Sequence, residues 1–194
     1  MREKPSSDLI LRVQLIPKPL HRINLRNAIG KHQWQKKLRP KLFAAQKKLA
    51  CHLCGEKLEK PSDLKAHEEW SYDESVTPAL ALLETISLIC ESCHRCEHFL
   101  HTVIMVQEGE YPADTLEAVA AHFCRVNRTS HDAFEDHLRE ATRENKRRSK
   151  LEWEIGFGNY SHMVDGEARE RLELLTSSKS VVVSGPLRPS RRKT

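Results

Sequence analysis

Two C-x-x-C pairs, Cys51–Cys54 and Cys90–Cys93, are separated by 35 residues in this chain of 194. Each pair offers two thiols from one tight turn. Zinc takes four soft ligands in a tetrahedron, so the spacing predicts one structural zinc on Cys51, Cys54, Cys90 and Cys93. Gly55 follows the first pair and Ser92 lies within the second, both compatible with a turn. A redox dithiol is the other use of a C-x-x-C, but no βαβ pattern surrounds these pairs. A four-thiolate clasp must bring two turns together, and it thereby pins both ends of the segment between them. That segment carries His67, and the second pair runs directly into His94 and His98. The last two are spaced i, i+4, which puts them on one helix face. The clasp therefore gathers three histidines.

The segment between the pairs reads as two strands. Trp70 and Tyr72 alternate after His67, which predicts a strand through A-H-E-E-W-S-Y-D. Residues 74–79 read as a loop. The apolar run from Ala79 to Ile89 ends in Ile86, Leu88 and Ile89 and predicts a second strand. A helix starting near Cys93 then carries His94 and His98.

In this order, a C-x-x-C, a strand-borne His, an apolar strand and C-x-x-C-H-x-x-x-H, the stretch resembles the zinc-containing HNH endonucleases. Their core is a ββα-metal, or His-Me, finger. A subgroup with H-E-x-W-x-Y-D is closest, matched here by His67, Glu68, Trp70, Tyr72 and Asp73. The resemblance covers a quarter of the chain and extends more weakly upstream through a basic helix around Trp34. It implies a metal-dependent endonuclease that hydrolyses phosphodiester bonds in DNA, with RNA left open as a partner. It also implies structural Zn2+ and catalytic Mg2+ or Mn2+. By position, His67 resembles the general base, His94 the metal-binding histidine, and His98 the last histidine, which binds metal or phosphate. Two places depart from the family. Thr85 stands where the HNH asparagine orients the base, and a hydroxyl lacks the two-sided geometry of an amide. The metal-binding neighbour of the first histidine is also missing, since Ala66 and Glu68 flank His67. Glu68, Glu69 or Asp73 is left to supply the carboxylate. A second reading follows from Thr85: a catalytically inactive, zinc-ribbon-like module that binds nucleic acid.

Charge is unevenly distributed. The net is +5, yet residues 9–55 hold eleven Lys and Arg and no Asp or Glu, whereas residues 56–144 hold nineteen acidic and eight basic residues. A basic arm beside a nuclease-like finger suggests phosphate contacts, and Lys36, Lys37, Arg39 and Lys41 are its candidate nucleic-acid-binding residues. A solvated helix face is the plainer account of the same lysines. No run is long enough for a membrane helix and no signal peptide is expected, so the location expected is cytoplasmic. There, six cysteines read as metal ligands and free thiols, with Cys96 a spare thiolate beside the clasp.

The fold class expected is α+β, mostly helical, in four consecutive segments. Residues 1–50 form a basic arm and helix, 51–105 the HNH-like zinc core, 106–175 a helical region, and 176–194 a disordered basic tail. Smaller expectations are a strand at 8–16, a helix at 20–30 ended by Gly30, and helices capped by Asp114 and Ser130.

Overall fold

The computed structural model describes residues 9–175 and 181–183. The alternating and apolar runs form the two long strands, β1 (Leu64–Asp73) and β2 (Ala79–Cys90). Their connection, residues 74–78, contains a cis Thr77–Pro78 peptide bond. So short a link joins only antiparallel neighbours. The sheet continues through β3 (Trp153–Gly156) and β4 (Val181–Val183) in the order β1-β2-β3-β4. Both added pairings are parallel, with Ala79 opposite Trp153 and Trp153 opposite Val181. The sheet is therefore mixed.

Seven α-helices are described: α1 (Leu25–Gln33), α2 (Arg39–Ala45), α3 (Glu91–Glu97), α4 (Phe99–Gln107), α5 (Thr115–Asn127), α6 (His131–Arg148) and α7 (Gly166–Leu175). Among the described residues the fold is α+β and 53% helical. A π-helical turn at Trp34–Leu38 links α1 to α2 and carries Lys36 and Lys37.

The chain divides into two compact units, and both are discontinuous in sequence. One comprises residues 9–16, 46–67 and 88–147; the other comprises 17–45, 68–87, 148–175 and 181–183. Stretches far apart in the chain are joined by strand pairing in the second unit and by hydrogen bonds to residues 9–16 in the first.

In the first unit, Cys51, Cys90, Cys93 and Cys96 share a core with Leu11, Ile89, Phe123 and Phe134. Helix α3 packs on α5. Phe134 meets both Phe99 and Phe123, with ring centroids 5.6 and 5.0 Å away. Residues 9–16 do not form the expected strand. Their backbone groups are taken up mostly by side chains instead, and Gln14 N–H donates to the Glu97 carbonyl at 3.1 Å. Asn127, 1% exposed, accepts from the Ile10 and Leu11 N–H groups and donates to the Leu11 carbonyl. His137 Nε2 accepts from Val13 N–H at 2.9 Å, and Asn145 donates to Leu15 and Ile16. A ladder is unnecessary where these polar groups are already satisfied.

In the second unit, α1 packs on α7. Asn24 caps α1 by accepting from Asn27 N–H at 2.7 Å. Gly30 has non-helical backbone angles, φ +76° and ψ 160°, so the first helical piece ends there as expected and a second begins beyond it. Trp153 on β3 meets Tyr72 and Phe157 meets Trp70, at centroid distances of 5.4 and 5.8 Å. Two cap expectations divide. Ser130 Oγ accepts from Ala133 N–H, whereas Asp114 makes no side-chain cap to α5. The tail expectation also changes in part. Val181–Val183 add an edge strand, as three β-branched residues readily do. The rest of 176–194 lies outside the described residues.

Gly158 holds the turn after β3 against β2. Its φ is +48°, and an added Cβ would meet the Leu83 carbonyl oxygen well inside contact distance. Gly158→Ala should therefore destabilise by roughly 1–3 kcal/mol. That lowers Tm by about 3–10 °C in a chain of this size, as thermal unfolding would record. An unchanged Tm would show that β2 does not depend on this close approach.

Candidate metal centre

The first C-x-x-C is a tight knuckle. Cys51 N–H donates to the Glu56 carbonyl at 2.8 Å, and Gly55 N–H returns to Cys51 O at 3.0 Å. Gly55 sits at φ +74°, a left-handed turn that suits glycine. His52 N–H donates to Leu88 O at 3.0 Å, tying the knuckle to the end of β2. The second pair lies where β2 becomes α3. Cys90 is the N-cap, and its sulfur accepts from Cys93 N–H.

The four sulfurs all lie within 4.8 Å of one another. Cys54 and Cys90 are 3.7 Å apart. A tetrahedron with zinc–sulfur bonds of about 2.3 Å has edges of about 3.8 Å, so the spacing fits. The thiols interact strongly. Hydrogen bonds from Cys90 and Cys93 push the Cys51 thiol down. The same contact with Cys51 pushes Cys90 up to about 12 and drives Cys93 up as well. Four adjacent sulfurs can all ionise only around a cation. This cluster can hold a metal ion such as zinc. Cys96 is not in it; its thiol lies in the core, 3.9 Å from the Arg12 carbonyl.

A second cluster lies in the same unit. His67 on β1, His94 on α3 and His98 just after α3 bring ring nitrogens within 4.8 Å of one another. His98 N–H bonds to His94 O at 3.0 Å, so the i, i+4 spacing survives although α3 ends at Glu97. His67 is 3% exposed, and neither of its ring nitrogens has a hydrogen-bond partner. Burial, followed by the neighbouring His98 and His94, lowers its pKa from 6.5 to about 3. Burial and His94 lower His98 to about 4, and burial lowers His94 too. Three neutral imidazoles with ring nitrogens this close to one another are a donor set suited to a divalent transition metal.

The carboxylates sort themselves by partner. Both Glu68 oxygens accept from Leu25 N–H, and one also accepts from Trp70 Nε1, so Glu68 holds the start of α1. Burial raises its pKa to about 6. Asp73 is exposed and accepts from the Ser75 backbone and hydroxyl. The acid beside the histidines is Glu97, 4% exposed, with Oε2 3.8 Å from His67 Nε2 and Oε1 accepting from Arg12 N–H. Sequence reasoning missed Glu97. It stands next to His98 in C-H-R-C-E-H, but its link to His67 exists only in the fold. His122 was missed for the same reason and approaches Cys93. Thr85 is exposed on β2. Lys36, Lys37 and Lys41 are exposed, and Arg39 is half-buried with its guanidinium over the Phe43 ring.

The histidine cluster predicts an acid-sensitive fold. Below pH 6.5 the unfolded chain protonates these imidazoles, while folded His67 resists protonation down to about pH 3. More protons on the unfolded state mean that stability falls as pH falls. Between pH 6.5 and 5, wild type should lose about 1–2 kcal/mol more than His67→Phe in denaturant titrations. Equal losses would contradict the burial of a neutral His67. Compared with known protein families, curated proteins and solved structures, the chain finds no match.

Proposed function

We propose that this protein is a metal-dependent endonuclease of the HNH type, hydrolysing phosphodiester bonds in DNA. In this reading, β1, β2 and α3 are its ββα-metal finger. The observation that carries the proposal is the convergence of His67, His94 and His98 in the unit that also holds the four-cysteine cluster. Zinc on the cysteines would be structural.

Both His94 and His98 would hold the catalytic ion, Mg2+ or Mn2+ by the family resemblance. The all-imidazole donor set also suits softer divalent ions. A divalent cation bound there supplies Lewis-acid polarisation of a phosphate oxygen and of the leaving oxygen. His67 is neutral at pH 7 and can accept a proton from the attacking water. Glu97, 3.8 Å from Nε2, would orient the ring and stabilise the imidazolium that forms, as a carboxylate does beside a catalytic histidine. The orphaned nitrogens and burial of His67 support a second role for it, as a third ligand. Metal content separates the two roles: a base can be removed without losing the ion, and a ligand cannot. Exposed Lys36, Lys37 and Lys41 support DNA as the partner through phosphate contacts.

An inactive nucleic-acid-binding module is the competing function. Thr85 supports it, because a hydroxyl replaces the amide that would orient the base.

Nicking of supercoiled plasmid with Mg2+, Mn2+ or Ni2+ tests the proposal. Wild type should cleave, and His67→Ala should be slower by about 10²- to 10⁴-fold. Retained metal in that variant identifies a base, and lost metal a ligand. If Thr85 fills the asparagine role, Thr85→Asn should preserve or raise activity. Charge reversal at Lys36, Lys37, Arg39 and Lys41 should flatten the dependence of log affinity on log salt, by about 0.9 for each phosphate no longer neutralised. DNA binding by wild type without cleavage under any of these ions would replace the enzyme with the binding module.

A further inference from the structure

Cys93 has a partner outside the four-cysteine cluster. His122, on α5, is 3% exposed, and its Nε2 lies 3.1 Å from Cys93 Sγ. The other ring nitrogen, Nδ1, lies 2.7 Å from Arg125 Nη2, almost one turn further along α5. A guanidinium only donates hydrogen bonds. Nδ1 must therefore accept, which leaves the ring proton on Nε2 and directs it at the sulfur. Connectivity alone sets this tautomer. The relay runs from the exposed guanidinium, through a buried ring, to a fully buried sulfur.

Such a relay matches a need of the site. Four thiolates on a divalent cation carry excess negative charge, and here that charge sits among Leu11, Ile89 and Phe123. Buried charge is costly unless hydrogen-bonded. An N–H donor to a ligand sulfur spreads that charge and fixes the ligand's orientation, as outer-shell partners do at metal sites generally. Packing alone would need no guanidinium on the far nitrogen. His122 is also outside the set of atoms that lie mutually within ligand range.

We propose that His122, aligned by Arg125, is the outer-shell hydrogen-bond donor to Cys93 and sets how tightly the four-thiolate site holds its metal. The inference rests on reading the four cysteines as a metal site and is independent of nuclease activity.

The test uses the full chain loaded with Zn2+, with release to a chromogenic chelator, and the same protein loaded with Co2+. Wild type should hold its ion and give a four-thiolate cobalt spectrum. His122→Phe should bind about 10- to 100-fold more weakly, the usual loss on removing an outer-shell partner. Its thiolate-to-cobalt charge-transfer band should move to lower energy at unchanged intensity, because the sulfur has lost a donor. His122→Gln, which restores an N–H, should recover most of both effects. Arg125→Ala changes an exposed position, should fold normally, and should move the band in the same direction by less. If His122→Phe does not fold, His122→Gln and Arg125→Ala decide the matter by the same two readouts. Unchanged affinity and band position in the folded variants would overturn the proposal. So would a changed ligand number in a His122 variant, which would make the ring a ligand. A wild type that binds no metal would instead overturn the four-thiolate reading itself.

Discussion

Four adjacent thiols, three buried in one apolar core and Cys54 packed against it, cannot all ionise without a cation, and the first unit is arranged around that constraint. Cys51, Cys90 and Cys93 are buried, and hydrogen bonding among them holds the Cys51 thiol down and the other two up. A divalent ion held there would resolve the conflict and add folding energy. In small modules structural zinc contributes about 10–16 kcal/mol, more than most domains retain in total. The knuckle at Cys51, the end of β2 and the start of α3 would then be joined by coordinate bonds as well as by packing. Hydrogen bonds alone already give this arrangement a defined shape, through His52 to Leu88 and Cys93 to Cys90.

The histidine cluster follows from the same joint. β2 delivers Cys90, and α3 starts there at once, so His94 and His98 come one and two turns later on the same side. β1 brings His67 to them, with ring centroids 6.0 and 4.9 Å away. Burying an imidazole whose nitrogens have no partner is unfavourable, and a chain selected only for stability would place an apolar side chain there. Glu97 adds a buried carboxylate beside the same ring. The cost makes sense if the site exists to hold something, and close-set ring nitrogens, those of His67 without partners, are what a cation requires.

Much of this was legible in the sequence, and the reasons differ by element. Cysteine spacing reports metal geometry directly, so the four-thiol cluster could be read from Cys51, Cys54, Cys90 and Cys93 alone. β1 and β2 could be read because alternation and apolar runs are local signals. The segment at 9–16 could not. Its apolar residues look strand-like, but its hydrogen bonds go to Glu97, Asn127, His137 and Asn145, all far along the chain. Glu68 was misleading for a related reason. It neighbours His67 in the chain, yet it serves the α1 N-terminus, while Glu97 takes the place beside the ring. His122 and Arg125 carry no motif at all; only the packing of α5 on α3 turns them into a relay to Cys93.

Two chemically distinct candidate metal sites lie in one unit. Cadmium-113 NMR of the fully cadmium-substituted protein tests this in a single spectrum, because thiolate ligands move the resonance far downfield of nitrogen and oxygen ligands. The account predicts two resonances: one in the four-sulfur region that Cys51→Ser abolishes or shifts, and one in the nitrogen–oxygen region that His94→Ala removes. A spectrum without a four-sulfur resonance would contradict it.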